Sequence, residues 1–507
     1  MNTSALTAIF GDRFLQEPEG NLIRGIIYPE NFDELKKLVV LANKEKTKLH
    51  VVSSGKNWGF GESAARSELP YFIVNLKRMN RILEFNKESG YVVLEPGVTY
   101  SQLYHYLQKN APHQFIIDAP GSSMEASVIG NTLERGHGQT PSADHIANAC
   151  NFEILLGNSK ILRTGFGRFE ENNLENLDKW GLGPSYEGLF SQSNFGIVTR
   201  ATIWLLNKPE ATAILQISFG SSTFLEVTNA LHRLRLQKVI QAGPHFANIY
   251  FLLSRIYRLE DLTKDSFLSF EKALEVGKKH GISEWTSNIV IHGCMSQIQF
   301  TQKKVLDALK NSFESSRLIT DQGFGKNNGI DLPEDQIRFL DQISGRLGGT
   351  GISRMGWRKN KPLVDSLYDL DLEKEEIGVI CTPIACPSGG SKLESATRLI
   401  QKICEENETE PFMALFVCRD RLIHIHSFLL FNRNNQVEVK KHSECAEKIN
   451  LGLKKIGLVP HRLGANMSIE DYTPSNASNE LINVLKNYFD PNGIFVDSRY
   501  VPSSLER

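Results

Sequence analysis

Apolar residues recur with helical spacing near the start of the chain. From Leu35 the apolar positions follow at i+3, i+4 and i+7 and end at Ala42, which is the pattern of a helix that buries one face. Asn31 stands just before them and is a residue type that caps helix N-termini. The spacing predicts a helix from Asn31 to Ala42.

Other helices are indicated by a capping signal or by the same spacing. Thr99 and Gln102 form a capping box at the start of a segment with Leu103, Tyr104 and Leu107 on one face. Two further helices are predicted over 224–236 and 479–488.

Runs of β-branched and aromatic residues predict strands. These runs lie at 48–52, 70–76, 91–94, 152–156, 196–204 and 213–219. The segment 422–428 alternates strictly, so a strand there would place His424 and His426 on one face.

The order of the elements is α+β with mixed strands, without the regular βαβ alternation of a doubly wound dinucleotide-binding sheet. The chain has 507 residues, which exceeds a single hydrophobic core. The pattern changes near Pro209, where longer strands and helices begin. We therefore predict domains over 1–209 and 210–455, followed by a C-terminal segment over 456–507.

Composition narrows the possible functions. The formal net charge is −1, so no electrostatic argument favours nucleic acid or an anionic membrane as partner. The first 16 residues lack the features of a signal peptide, and no apolar run reaches the roughly 18 residues of a membrane span. The seven cysteines are scattered and show no metal-binding spacing. These features predict a cytoplasmic protein with reduced thiols and no metal site.

Two glycine-rich loops carry the strongest chemical signal. They lie at 53–61 and 128–141 and are rich in small hydroxyl and amide side chains. Glycine lets backbone N–H groups approach a phosphate closely. Two such loops in one region indicate a long cofactor with a pyrophosphate in its middle.

These loops and several other segments resemble the flavoproteins related to vanillyl-alcohol oxidase and the flavin subunit of p-cresol methylhydroxylase. The resemblance runs through the entire chain and is densest before Pro209. The segments that carry it are 54–61, 79–82, 94–100, 130–136, 144–145, 162–165, 188–196 and 490–494.

The resemblance implies a p-cresol-methylhydroxylase-type FAD-binding domain of two subdomains, completed by the C-terminal segment, and an α+β cap domain that shapes the substrate pocket. It implies hydride transfer to flavin N5 from an activated, benzylic-type C–H bond of an aromatic alcohol, amine or alkylphenol-like molecule, typically the benzylic carbon of a 4-substituted phenol. It also implies a small-molecule substrate, reoxidation by O₂ or by a cytochrome partner, and a homodimer.

The resemblance assigns a set of residues to the FAD site. These cofactor residues are Ser54, Gly55, Lys56, Asn57, Trp58, Gly59, Pro96, Gly97, Gly130, Asn131, Thr132, Gly136, Gly138 and Ile197. Lys56 replaces a histidine that some more distant flavoproteins bond to the flavin. Covalent attachment would therefore use His424 or His426, and the alternative is that both histidines only line the pocket.

The resemblance also suggests residues for the chemistry. Asp144 matches a carboxylate near flavin N5, where it would take a substrate proton or stabilise the electron-poor product; alternatively it caps a helix. Arg499 would place positive charge at the N1/O2 edge of the flavin, or would be an ordinary surface arginine.

Two positions in the substrate pocket depart from the phenol-oxidising pattern. Phe60 and Thr473 stand where a tyrosine and an arginine are expected, although Tyr472 fits the second tyrosine. A buried phenolate without these ligands is costly. Oxidation of a non-phenolic hydroxyl compound, or a non-catalytic flavin-binding subunit, therefore remain the alternatives to benzylic oxidation.

Overall fold

The computed structural model describes residues 3–18, 20–63, 65, 67–321, 334–345, 353–358, 370–464, 467–496 and 499–501. The strands are β1 Phe14–Gln16, β2 Ile23–Ile27, β3 Lys48–Val52, β4 Tyr71–Asn75, β5 Ile82–Asn86, β6 Tyr91–Leu94, β7 Phe115–Ile116, β8 Ala149–Leu156, β9 Ile161–Arg163, β10 Gly196–Trp204, β11 Leu206–Asn207, β12 Ala211–Phe219, β13 His245–Asn248, β14 Trp285–Gly293, β15 Ser315–Thr320, β16 Ile377–Pro387, β17 Phe412–Arg419, β18 Leu422–Asn432 and β19 Val459–Pro460. The α-helices are α1 Thr3–Phe10, α2 Phe32–Glu45, α3 Tyr100–Asn110, α4 Val128–Leu133, α5 Phe224–Leu236, α6 Ile249–Leu253, α7 Leu259–Leu262, α8 Phe270–His280, α9 Met295–Leu309, α10 Glu334–Ile343, α11 Ser391–Glu406, α12 Gln436–Lys455 and α13 Asn476–Phe489.

Three main sheets organise the molecule, and they confirm the predicted α+β class. The first has the order β1-β2-β4-β3, in which β2, β4 and β3 are parallel and β1 is antiparallel. The second is antiparallel, with the order β5-β6-β10-β8-β9. The third contains eight antiparallel strands in the order β15-β12-β14-β13-β17-β18-β16-β19.

The predicted helices exist, and their caps explain where they begin. Asn31 accepts a hydrogen bond from the N–H of Glu34 at 3.0 Å, which starts α2. Thr99 caps α3 in the same way, but only half of the expected capping box forms. The Gln102 side chain donates instead to the carbonyl of Asn80 at 2.7 Å, because that acceptor lies within its reach.

The large sheet has two chemically different faces, as β18 shows. Ile423, Ile425 and Leu429 point into a core shared with α5, α9, α11 and α12. The residues between them include His424 and His426, and both histidines lie on the opposite face. The period of two predicted from the sequence is therefore confirmed.

The C-terminal segment pairs with the first sheet. The N–H of Leu49 in β3 donates to the carbonyl of Ile494 at 2.7 Å, and the N–H of Val496 donates back to Leu49 at 3.0 Å. Residues 494–496 thereby lie along the free edge of β3 and bring the chain end next to the first glycine loop. The domain boundaries at 209/210 and 455/456 stay predictions.

No helix in the described part of the chain is long and apolar enough to cross a membrane. All seven cysteines are free thiols, and six of them are buried.

Candidate functional site

One large cavity lies between the first two sheets and the inner face of the eight-stranded sheet. On one side it is lined from segments 49–58, 120–139, 190–198, 495–496 and 499–500, which we call the cofactor wall. The other side, which we call the cap wall, consists of His245, Phe251, Arg255, Asn288, Phe339, Met355, Ala414, Phe416, His426, Phe428 and Arg462.

The first glycine loop follows directly from β3. Gly55 and Gly59 have φ values of +71° and +81°, a conformation that residues with a Cβ rarely adopt. The carbonyl of Gly59 accepts a hydrogen bond from the N–H of Cys381 in β16 at 3.0 Å. The loop therefore turns sharply after the strand and docks on the cap sheet.

The second glycine loop begins at α4. The hydroxyl of Ser127 accepts from the N–H of Gly130 at 2.8 Å and donates to the carbonyl of Pro96 at 2.6 Å. A Cβ at Gly130 would collide with the hydroxyl of Ser53, so glycine is required where the two loops meet. Glycine-rich backbone from both loops thus lines the same part of the cavity, and backbone of this kind is suited to holding an anion.

A buried polar network holds the second loop in place. Asp118 accepts hydrogen bonds from the N–H groups of Gln139 and Thr140, at 3.1 and 2.9 Å. His145 lies 3.0 Å from the Asp118 carboxylate and 2.6 Å from the side-chain oxygen of Asn131. The network fixes Asn131 at the cavity surface, where the sequence placed a cofactor ligand.

The cofactor wall also contains polar atoms that need a ligand. The side-chain oxygens of Gln139 and Asn194 are buried without a hydrogen-bond partner among the described residues, and both residues line the cavity. Buried polar atoms are normally satisfied. Together with the glycine loops they fit an extended, polar, pyrophosphate-containing molecule such as FAD.

Most of the predicted cofactor residues line the cavity. Those that line it are Ser54, Gly55, Lys56, Asn57, Trp58, Pro96, Gly130, Asn131, Ile197 and His426. Those that lie behind the lining are Gly59, Gly97, Thr132, Gly136, Gly138 and His424. The hydroxyl of Thr132 donates to the carbonyl of Val128 within α4, at 2.9 Å, so its side chain completes the helix.

The predicted catalytic residues are divided between the cavity and its surroundings. Arg499 lines the cavity and donates to the carbonyls of Phe60 and Leu463, at 2.7 and 2.8 Å. Asp144 lies outside the lining and pairs with Arg419 at 2.7 Å.

The two predicted pocket residues near the chain end also lie outside the lining. The amine of Lys454 lies 5.7 Å from the ring centre of Tyr472, and burial raises the pKa of the Tyr472 hydroxyl to about 12. Thr473 follows it with a φ of +49°. The expected second tyrosine and its neighbour therefore do not contact this cavity.

The cap wall is largely aromatic. Phe251, Phe339, Phe416 and Phe428 contribute rings to the cavity, and His245 stacks on Phe416 with 4.5 Å between ring centres. Such a surface favours a flat apolar substrate next to a few polar groups.

Arg462 is a cavity residue that the sequence did not reveal. Its guanidinium carbon lies 4.2 Å from the ring centre of Phe60, and one terminal nitrogen donates to Asn57 at 2.9 Å. Its Nε is buried without a hydrogen-bond partner among the described residues, and the nearest carboxylate oxygen, from Glu134, is 3.7 Å away. The cavity therefore contains a guanidinium, at a position other than the expected 473.

A histidine cluster adjoins the cavity. His137, from the second glycine loop, and His461, which follows β19, lie against the two histidines of β18. Burial lowers the pKa of His137 to about 3 and the pKa values of His424 and His461 well below the usual range. The sequence missed His137 and His461, although a histidine between two glycines of a cofactor loop is a readable signal.

Comparison with known proteins is consistent with this geometry. A family model for an FAD binding domain matches residues 23–165. The chain is 30% identical over 495 residues to the 1'-carboxy-chondrochloren decarboxylase of Chondromyces crocatus, covering 94% of this chain and 90% of that protein. It is 25% identical over 474 residues to the flavoprotein subunit of the hydroxylating 4-cresol dehydrogenase of Pseudomonas putida, covering 92% and 85%.

The fold also resembles that of a solved structure. The 4-ethylphenol oxidase from Gulosibacter chungangensis superimposes with a TM-score of 0.85 at 23% identity, covering all of this chain and 94% of that one. Together these likenesses define a flavoprotein oxidoreductase that uses FAD. The chain belongs to the p-cresol methylhydroxylase and vanillyl-alcohol oxidase family, and it is an FAD-dependent enzyme.

Proposed function

We propose that the enzyme oxidises a 4-substituted phenol at the carbon attached to the ring. The observation that carries the proposal is the buried guanidinium of Arg462 beside Phe60, next to the aromatic cap wall. FAD, when bound, accepts a hydride at N5 from the benzylic carbon.

The side chains of this protein would bind and polarise the substrate. The rings of Phe416 and Phe428 would pack on the substrate ring and exclude water. Arg462 would stabilise the phenolate oxygen, because a charge-assisted hydrogen bond to its Nε is the contact that this atom lacks. Electron density from the phenolate weakens the benzylic C–H bond, so a group that holds the anion promotes the reaction.

Arg499 would act at the cofactor. It lies on the cofactor wall and both its carbonyl partners orient it. Its positive charge would stabilise the negative charge that the flavin gains when it is reduced.

The names of the relatives support a phenolic substrate. Two of them act on 4-cresol and 4-ethylphenol according to their names. In both compounds a carbon substituent stands opposite the hydroxyl group, which is the arrangement that an aromatic pocket with one anion ligand would select.

A second candidate is oxidative loss of a carboxyl group from a related substrate. The relative with 30% identity is named as a decarboxylase, and Arg255 adds a further guanidinium to the cap wall. Arg255 would bind a carboxylate on the benzylic carbon. Breaking the C–C bond would then release CO₂ and leave its electron pair for the cofactor in place of a hydride.

The experiment is anaerobic mixing of purified enzyme with a substrate panel while flavin absorbance is followed near roughly 450 nm. The panel contains a 4-alkylphenol, the same phenol with a carboxylate on the benzylic carbon, its O-methyl ether and an aldose. We expect bleaching by the first or second compound and none by the ether or the sugar. Bleaching by the sugar alone would overturn the phenol proposal, and CO₂ release separates the two candidates.

We also propose that O₂ or a cytochrome reoxidises the enzyme, that the chain forms a homodimer and that it works in the reducing cytoplasm. The free cysteines are compatible with that compartment. Oxygen uptake with and without cytochrome c, and light scattering, test the first two statements. Fractionation of the cells that produce the protein tests the third.

A further inference from the structure

The histidine cluster, defined as His137, His424, His426 and His461, has the geometry of a metal site. One ring nitrogen of each residue lies within 4.8 Å of the corresponding nitrogen of every other. Nε2 of His426 is 2.9 Å from Nε2 of His461 and 3.4 Å from Nε2 of His137. His424 packs on His461 with 3.7 Å between ring centres.

Two of these separations are close to the edge length of a coordination tetrahedron. With metal–nitrogen bonds of about 2.05 Å, two ligands of a tetrahedral zinc ion lie about 3.3 Å apart. The pair formed by His137 and His426 has this spacing, and the pair formed by His426 and His461 would open by a few tenths of an ångström. A small rotation of one imidazole supplies that change.

Hydrogen bonds between the imidazoles satisfy the ring nitrogens of the cluster less well than a metal ion would. An imidazole nitrogen either donates one hydrogen bond or accepts one. Nε2 of His426 faces the Nε2 atoms of both His137 and His461, so it can form a good hydrogen bond with only one of them. A metal ion accepts a lone pair from every nitrogen at once.

The surroundings orient two of the four rings for metal binding. The thiol sulfur of Cys418 lies 3.6 Å from Nδ1 of His424, and that of Cys381 lies 3.8 Å from Nδ1 of His426. A proton on each Nδ1, directed at the sulfur, leaves the Nε2 lone pair facing the cluster. A partner on the outer nitrogen is a usual feature of metal-bound histidine. His424 and His426 are each 6% exposed, so the rings are held by packing.

The charges nearby also bear on a cation. Arg462 and Arg419 are positively charged groups near the cluster. Arg419 is paired with Asp144, and Arg462 lies 3.7 Å from a carboxylate oxygen of Glu134. Their repulsion is therefore partly compensated.

We propose that the histidine cluster binds one divalent first-row metal ion that prefers imidazole ligands, with Zn²⁺ as the expected occupant. Four protein ligands leave no open position in a tetrahedron, which is the arrangement of a structural site. The ion would join the second glycine loop, β18 and the segment after β19, and so fix the cap wall against the cofactor wall. The inference does not depend on the identity of the substrate.

The first test measures metal in the purified holoenzyme by mass spectrometry, without a chelator or a metal-affinity tag. We expect about one zinc per chain, as in a closed four-ligand site. Protein stripped with a chelator should take up one Co²⁺ per chain and show the strong visible bands of tetrahedral cobalt. A chain that holds no metal and takes up neither ion overturns the proposal.

The second test compares His461→Gln with His442→Gln. His442 is a matched control, because it is also a buried histidine, stacked on Phe431 and 2.8 Å from the carbonyl of Glu438, but it lies outside the cluster. His461→Gln should lower metal affinity by at least about tenfold, and His442→Gln should leave it unchanged. Equal metal affinity in both variants overturns the assignment; if His461→Gln does not fold, the cobalt spectrum of the native chain decides.

The flavin provides an independent check. A histidine whose Nε2 is bonded to the flavin cannot use that atom to bind a metal. Acid precipitation should therefore release all the flavin into the supernatant. Peptide mapping that finds flavin attached to His424 or His426 would overturn the metal site and would leave the oxidoreductase assignment intact.

Discussion

The two walls of the cavity are built from different parts of the polypeptide. The cofactor wall is shaped by glycine loops in which neighbouring atoms leave no room for a Cβ. The cap wall presents side chains, namely aromatic rings, histidines and the guanidinium groups at its edge. A backbone surface depends on conformation and tolerates many side chains, whereas a side-chain surface changes with every substitution.

The difference separates cofactor binding from substrate choice. The cofactor wall is suited to one long polar molecule, because both glycine loops line the same cavity. The cap wall sets which carbon reaches the flavin and which anion is stabilised. Damage to the first wall should abolish flavin binding, and damage to the second should change rates while flavin remains bound.

The largest effect is expected just behind the cofactor wall, for Gly97→Ala. A Cβ at Gly97 would lie 2.5 Å from the carbonyl oxygen of Leu76 and 2.7 Å from those of Lys77 and Met79. Backbone carbonyls cannot move aside, so we expect a loss of about 3 kcal/mol or more in unfolding free energy. Urea unfolding and the ratio of flavin to protein measure the loss.

Gly188→Ala is the control for this substitution. A Cβ there meets no atom within 4 Å, and the residue is exposed. Both quantities should stay at the native value. If Gly97→Ala also leaves both quantities unchanged, the backbone behind the cofactor wall can move aside for a Cβ, and flavin binding does not depend on its exact conformation.

On the cap side the largest effect is expected for Arg462→Gln. Removing the guanidinium should lower kcat/KM for a 4-alkylphenol about 100-fold, which corresponds to about 2.7 kcal/mol. Flavin reduction by dithionite, which needs no substrate pocket, should be unaffected. Rates are compared per bound flavin, because Arg462 also contacts Asn57.

Arg398→Gln is the control for the loss of an arginine. Arg398 is exposed on α11 and pairs with Glu394, so this variant should keep the native rate. An unchanged kcat/KM in Arg462→Gln would show that the anion ligand of the cap wall lies elsewhere.

The sequence predicted correctly those elements whose structure depends on residues close together in the chain. β3, β6 and α5 begin and end where the pattern predicted, and Asn31 and Thr99 cap the predicted helices. Gln102 does not complete its box, because tertiary structure offers it a better acceptor. The family and its cofactor also followed from local motifs, and they are confirmed.

The contacts across the cavity were not predictable in this way. Arg462 reaches Phe60 and Asn57 from the other end of the chain. His461 meets His137 and the histidines of β18 only after the sheets have packed. Spacing along the sequence carries no signal for such meetings, so a metal motif could not be recognised.

An effect of intermediate size is expected in the buried network behind the second glycine loop. Asp118→Asn removes the charge that accepts the N–H groups of Gln139 and Thr140 and contacts His145. We expect a loss of about 2 kcal/mol in unfolding free energy at neutral pH. Denaturant unfolding of both proteins at several pH values measures it.

The pH dependence of this difference has a definite sign. Burial by itself would raise the pKa of Asp118, but the hydrogen bond and charge of His145 outweigh burial and hold it below the usual range. The stabilisation is therefore complete above the unfolded-state pKa of about 4 and is lost as pH falls through the folded value. A difference between native protein and variant that grows on acidification would contradict this assignment.

The smallest effect is expected for Asp144→Asn, although the resemblance assigns this carboxylate to the chemistry. Asp144 is bound to Arg419 at 2.7 Å, with 21% and 48% of their side chains exposed, and it lies outside the cavity lining. Such a surface pair contributes less than about 1 kcal/mol, and we expect kcat to change by less than about threefold, against the roughly 100-fold or larger loss of a true acid or base. Arg419→Gln breaks the same pair from its other side. Equal small effects in the two variants would make Asp144 a structural partner of β17. A loss of kcat confined to Asp144→Asn would instead assign the carboxylate to the active site. The catalytic surface would then extend from the cap wall to the second glycine loop.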